Sequence, residues 1–127
     1  MLSNISRQGT ILILRLEGAF YLILGLFLYY LSGYSWSNFL MLFFLPDISF
    51  IGYLVNPRIG AICYNIMHSS ILPIMCFISG EILEQPTLLM ISIIWISHIG
   101  FDRMLGFGLK FSDNFKHTHL GVLKSQK

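Results

Sequence analysis

Residues 11–31 read ILILRLEGAFYLILGLFLYYL, an apolar run in which only Arg15 and Glu17 carry charge. Its length decides the fold. About 20 helical residues cross roughly 30 Å of hydrocarbon, and lipid offers the backbone no hydrogen-bond partner, so such a run must be helical. Three further runs follow, Phe39–Val55, Ile59–Ser79 and Leu88–Gly108. The links between them are short and carry breaker chemistry: Gly33, Ser35 and Ser37 in the first, Asn56-Pro57 in the second, Gly80 to Pro86 in the third. Short links make sequential helices antiparallel neighbours. The pattern therefore predicts an all-α integral membrane four-helix bundle, with spans at 11–31, 39–55, 59–79 and 88–108 and a cationic cytoplasmic tail at 109–127, all in one domain.

Composition agrees with this reading. Of 127 residues, 55% are hydrophobic and 11% charged, and the mean hydropathy is +0.72. A soluble domain of this size would expose too much apolar surface. The expected partner is the lipid bilayer, with no nucleic acid. Residues 11–31 also differ from a cleaved signal peptide: the run is too long for a signal core, contains two charges and is followed by no small-residue cleavage site, so it is expected to stay in the protein. Cys63 and Cys76, thirteen positions apart on one run, stand about 20 Å apart by helical rise and cannot bridge.

Orientation is read from the basic residues. Arg7 precedes the first run, Arg58 lies in the second link, and Lys110, Lys116, Lys124 and Lys127 fill the tail, whereas the third link carries Glu81 and Glu84. The positive-inside rule puts both termini and the second link in the cytoplasm of a bacterial inner membrane. A cysteine substituted at Gln85 is then expected to react with an impermeant thiol reagent on intact cells. Reaction only after lysis would reverse the topology.

Arg15, Glu17, Asp47, Asn65, His68, His98, Asp102 and Arg103 lie within the runs, where a charge costs roughly 2.5 to 3.5 kcal/mol and seeks partners. Counted from the cytoplasmic ends, Glu17 and Asn65 lie about 10 Å deep, His68 and His98 about 15 Å, and Asp102 less, with Asp47 near mid-span. Asn65 and His68 are three apart, and His98 and Asp102 four apart, so each pair shares a helix face. The plain reading pairs Arg15 with Glu17 or Asp102, sends Arg103 to the headgroups and leaves the histidines as neutral helix contacts. The sharper one gathers His68, His98 and the carboxylates into a site, since these are ligands for zinc, manganese or iron. In the tail, FKHTHLG places His117 and His119 beside Lys116, either as a solvated segment or as a flap over the cytoplasmic mouth.

The segments RLEG (Arg15–Gly18), FFLPDISFIGYL (Phe43–Leu54), NPRIGAICYNIMH (Asn56–His68), WISHIGFDRMLGFGLK (Trp95–Lys110) and FKHTHLG (Phe115–Gly121) resemble the bacterial membrane family called domain of unknown function 4260. The resemblance spans nearly the whole chain and implies a small multi-spanning membrane protein without assigned chemistry. Its motif positions include Glu17, Asp47, Arg58, Asn65, His68, His98, Asp102, Lys110, Thr118 and His119. Pro46-Asp47 and Thr118-His119 are also similar to pieces of predicted membrane-bound metal-dependent hydrolases, although Ser49 stands where those proteins tend to carry a second acid.

That second similarity implies a divalent metal on Asp47, His68, His98 and Asp102, with Glu17 as general base. Arg58 or Lys110 would hold an anionic lipid headgroup, and Asn65, Thr118 and His119 would support the site or close it. Two other classes stay open at this point. His68 and His98 could be the axial ligands of a b-type haem, or the polar set could form a proton relay in a small transporter, which would need a homo-oligomer to enclose a pore.

Overall fold

Prolines punctuate this chain. A proline lacks the amide proton and its ring collides with the carbonyl four residues back, so a helix tends to stop there. In the computed structural model, which describes residues 1–109, 117–118 and 121–122, α1 spans Leu2–Ser32 and α2 covers Trp36–Leu42. Helix α2 ends four residues before Pro46, and the chain continues as a 3-10 helix over Leu45–Leu54. Pro57 opens α3, Pro57–His68, and the Asn56 side chain caps it by accepting from the Ile59 amide at 2.8 Å. Pro73 forbids α-helix at Ser69, so α3 stops at His68 and α4 restarts over Ile71–Ile82 with a bend of 40°. Pro86 then opens α5, Pro86–Leu105.

Two of the spans thus differ from the sequence reading. Phe39–Val55 is not one α-helix, and Ile59–Ser79 is broken after His68. Hydropathy alone sees neither break, because Pro46 and Pro73 interrupt backbone hydrogen bonding without making the segment polar. The 3-10 geometry even compensates for length: α2 and the 3-10 helix together extend about 30 Å, more than the same residues would as α-helix. Helices α1, α2 with the 3-10 helix, and α5 are each long and apolar enough to cross a membrane, and the bent pair α3–α4 makes a fourth where the two are taken as one broken span. Helix α5 ends at Leu105, three residues short of the expected end, and Gly106, with a φ of 95° in the left-handed region, closes the last turn.

Helix α5 is the centre of the bundle and packs most extensively against α1 and then α4, while α3 packs against the 3-10 helix. The α1–α5 seam is antiparallel and built from small residues. Gly18 lies against Gly100 and Met104, and Gly25 against Ile93 and Ser97, so the backbones approach more closely than any Cβ would allow. The same pairing order brings Met67 and His68 to Trp95 and His98, and Gly52 and Tyr53 to Cys63 and Gly60. Outside this seam α1 is bare: Leu12, Leu16, Phe20, Ile23 and Phe27 are all exposed, which suits contact with lipid chains.

Two smaller features finish the fold. Tyr29, Tyr34, Trp36 and Phe39 cluster at the first link, with the Tyr29 hydroxyl donating to the Ser35 carbonyl, in the manner of an interfacial aromatic anchor. In the tail, His117–Thr118 pairs antiparallel with Gly121–Val122 as a two-stranded ribbon. Lys110, Lys116 and His119 lie outside the described residues. Cys63 and Cys76 are both free thiols.

Candidate metal centre

Each break in the fold delivers a ligand. Pro46 ends α2 and Asp47 follows it into the first turn of the 3-10 helix. His68 is the last residue of α3, just before the Pro73-enforced bend. His98 and Asp102 sit one turn apart on α5, on the face turned toward α3. The three segments place their donor atoms within 4.8 Å of one another, and this is the one such group among the described residues.

The two histidines and the two carboxylates face one another closely. His68 Nε2 stands 3.2 Å from Asp47 Oδ1 and 3.3 Å from Asp102 Oδ2. His98 Nε2 stands 3.2 Å from each of the same two oxygens, and the two Nε2 atoms are 3.2 Å apart. Each histidine nitrogen thus meets the other nitrogen and both carboxylate oxygens at 3.2–3.3 Å, and all four donors lie within 4.8 Å of one another, close enough for one ion to touch them together.

Behind the donors the rings are held in place. His68 Nδ1 faces the Tyr64 carbonyl at 2.9 Å. A carbonyl only accepts, so Nδ1 carries a proton, and Nε2 faces the cluster, the orientation that metal-bound histidines commonly take. The Tyr64 ring stacks on His68 with centroids 3.7 Å apart and planes within 9°. His98 is fully buried between Phe43 and Phe44, and its Nδ1 finds no hydrogen-bond partner among the described residues, so on the side away from the cluster the ring is held by packing. The Trp95 indole donates to the Met67 carbonyl at 2.7 Å and braces α3 against α5 beside the histidines. Asp47 is the open side of the cluster, with 31% of its side chain exposed against 15% for Asp102.

The remaining candidates lie elsewhere. Glu17 is exposed and outside the cluster: Gly18 is the residue pressed on α5, and the neighbouring position points about 100° away. Arg15 pairs with neither Glu17 nor Asp102 but donates from Nε to the Met104 carbonyl at 2.9 Å. Arg58 is exposed at the start of α3, about 15 Å along the axis from His68. Asn65 is half-buried one turn before His68 and is not among the four donors. Thr118 belongs to the tail ribbon. The haem alternative does not fit this arrangement. Axial histidines lie on opposite faces of a porphyrin with each nitrogen about 2 Å from the iron, whereas here the nitrogens are 3.2 Å apart and share their centre with two carboxylates.

A family model described as Domain of unknown function (DUF4260) matches residues 11–123. The chain belongs to the DUF4260 family. No curated protein and no solved structure matches it. The match takes in most of α1, all of α2 to α5 and all four donors, and the family's description carries no activity. Three parts of this DUF4260 site were not visible in the sequence: the Tyr64 carbonyl that fixes His68, the Trp95 brace, and the Phe43 and Phe44 rings packed around His98. The nearest signal is spacing, since Tyr64 precedes His68 by one helical turn.

Proposed function

We propose that this chain is a membrane-embedded metalloprotein whose Asp47, His68, His98 and Asp102 hold one divalent cation, zinc before manganese or iron, for the hydrolysis of a lipid-like substrate. One observation carries the reading: two imidazole Nε2 atoms face each other at 3.2 Å and face the same two carboxylate oxygens. Protons satisfy this arrangement poorly. With both rings charged, two N–H groups point at one another; with one proton, negative charge stays uncompensated among aromatic rings. A single divalent ion cancels two carboxylates and accepts both nitrogen lone pairs. A set of two nitrogens and two oxygens suits zinc, whereas calcium and magnesium call for more oxygen ligands.

Hydrolysis is the chemistry such a centre best supports in lipid, because a bound divalent metal polarises an acyl or phosphoryl oxygen and acidifies water. The substrate class follows from the surroundings. A cavity of about 70 Å³ is lined by Leu42, Leu45, Pro46, Met67, Ile94 and Trp95, of which Pro46 and Met67 are chain neighbours of the donors Asp47 and His68. Its lining is apolar, the surroundings that an acyl chain would need. Anionic headgroups would meet Arg58 at the start of α3 rather than the metal.

Metal removal tests the reading directly. A ligand that binds only the folded state stabilises it in proportion to its occupancy. Protein purified in mild detergent is expected to unfold at a lower temperature after exhaustive chelation and to regain its stability with one equivalent of zinc. A melting temperature indifferent to both treatments counts against a bound metal.

A further inference from the structure

Three of the four donors belong to one braced unit. His98 and Asp102 are a turn apart on α5, and His68 ends a helix tied to α5 by the Trp95–Met67 hydrogen bond. Asp47 comes from a different kind of element. It stands in a 3-10 helix of ten residues, a geometry with weaker hydrogen bonding that rarely persists beyond three or four, and this helix packs on α3 with little contact to α5. Asp47 is also the most exposed donor, at 31%. Its carboxylate partners among the described residues are the two histidines that the metal would share.

From this asymmetry we infer that Asp47 is an exchangeable ligand: His68, His98 and Asp102 retain the metal, and the position held by Asp47 opens to an oxygen donor, water first. The inference rests on the proposed metal centre and adds to it the entry point. It converts a closed four-ligand cage, the pattern of structural zinc, into the three-ligand pattern with an open position that zinc enzymes use. The step is a ligand exchange in which the Asp47 oxygen leaves the metal as water's oxygen arrives, with no change in oxidation state. Because Asp47 follows Pro46, which lines the apolar cavity, the opened position lies beside the place proposed for the substrate chain.

The test compares single variants loaded with cobalt(II), whose visible absorption reports ligand number and exchange. Asp47→Ala is expected to keep close to the parent's metal content, to exchange its metal faster by about tenfold, and to change spectrum on addition of acetohydroxamate at concentrations that leave the parent unaltered. Asp102→Asn and His98→Ala are expected to lose the metal. Should Asp47→Ala fail to fold, Asp47→Asn, of equal size, replaces it. An Asp47 variant that loses metal as completely as His98→Ala overturns the inference and leaves the metal centre standing. A parent that binds no cobalt overturns both.

Discussion

Replacing His98 by alanine is expected to empty the centre, and replacing His68 as well is expected to remove almost nothing more. The two imidazoles share one point, with Nε2 atoms 3.2 Å apart and common carboxylate partners, so neither acts without the other. Losing one of three retaining ligands should lower affinity by several orders of magnitude, because a three-point site becomes a two-point site surrounded by phenylalanine. Interhelical hydrogen bonds give a different signature. They average roughly 0.6 kcal/mol in a membrane protein, and independent contacts add. Metal content and unfolding temperature of His68→Ala, His98→Ala and the double variant therefore separate the two cases. Small additive losses in stability at constant metal content would return the histidines to helix packing.

The second large effect is expected at Gly100, two residues beyond His98. A Cβ there would stand 2.6 Å from the Gly18 carbonyl oxygen and 2.6 Å from the Leu22 amide nitrogen, both backbone atoms of α1 that cannot rotate away. The reciprocal position is equally tight, since a Cβ on Gly18 would lie 2.8 Å from the Gly100 carbonyl oxygen. Overpacking typically costs about 1 to 3 kcal/mol and more where backbone must move, so Gly100→Leu is expected to lower the unfolding temperature by roughly 10 °C or to prevent assembly. It should also loosen the metal, because α5 carries two of the four donors. Gly9→Ala is the matched control: nothing lies within 4 Å of its added Cβ, and no loss is expected. Equal melting temperatures for Gly100→Leu and the parent would contradict the close α1–α5 seam.

The parts legible in the sequence are those that depend on run length and spacing. Residues 11–31 and 88–108 were long enough to mark α1 and α5, and the four-residue step from His98 to Asp102 placed both on one face. Pro46 and Pro73 were equally visible, but their effect is on hydrogen bonding, not hydropathy, so the runs containing them read as continuous helices. Those breaks matter most for the site, since Asp47 and His68 sit beside them.

Glu17 shows a different limit. Depth along a helix can be counted from sequence, whereas which of two adjacent residues faces the bundle depends on tertiary packing; Gly18 took the inner position and left Glu17 outside. His68's orientation depends on a backbone carbonyl, and a main-chain acceptor leaves no mark in the residue pattern.

X-ray absorption at the metal edge, on protein purified from membranes without added metal, tests the centre most directly. About one divalent ion per chain is expected, with a first shell of nitrogen and oxygen at about 2.0 Å, outer-shell scattering from two imidazoles, and loss of the signal in His98→Ala. A parent chain with only trace metal, or a shell containing sulfur from Cys63 or Cys76, would contradict it.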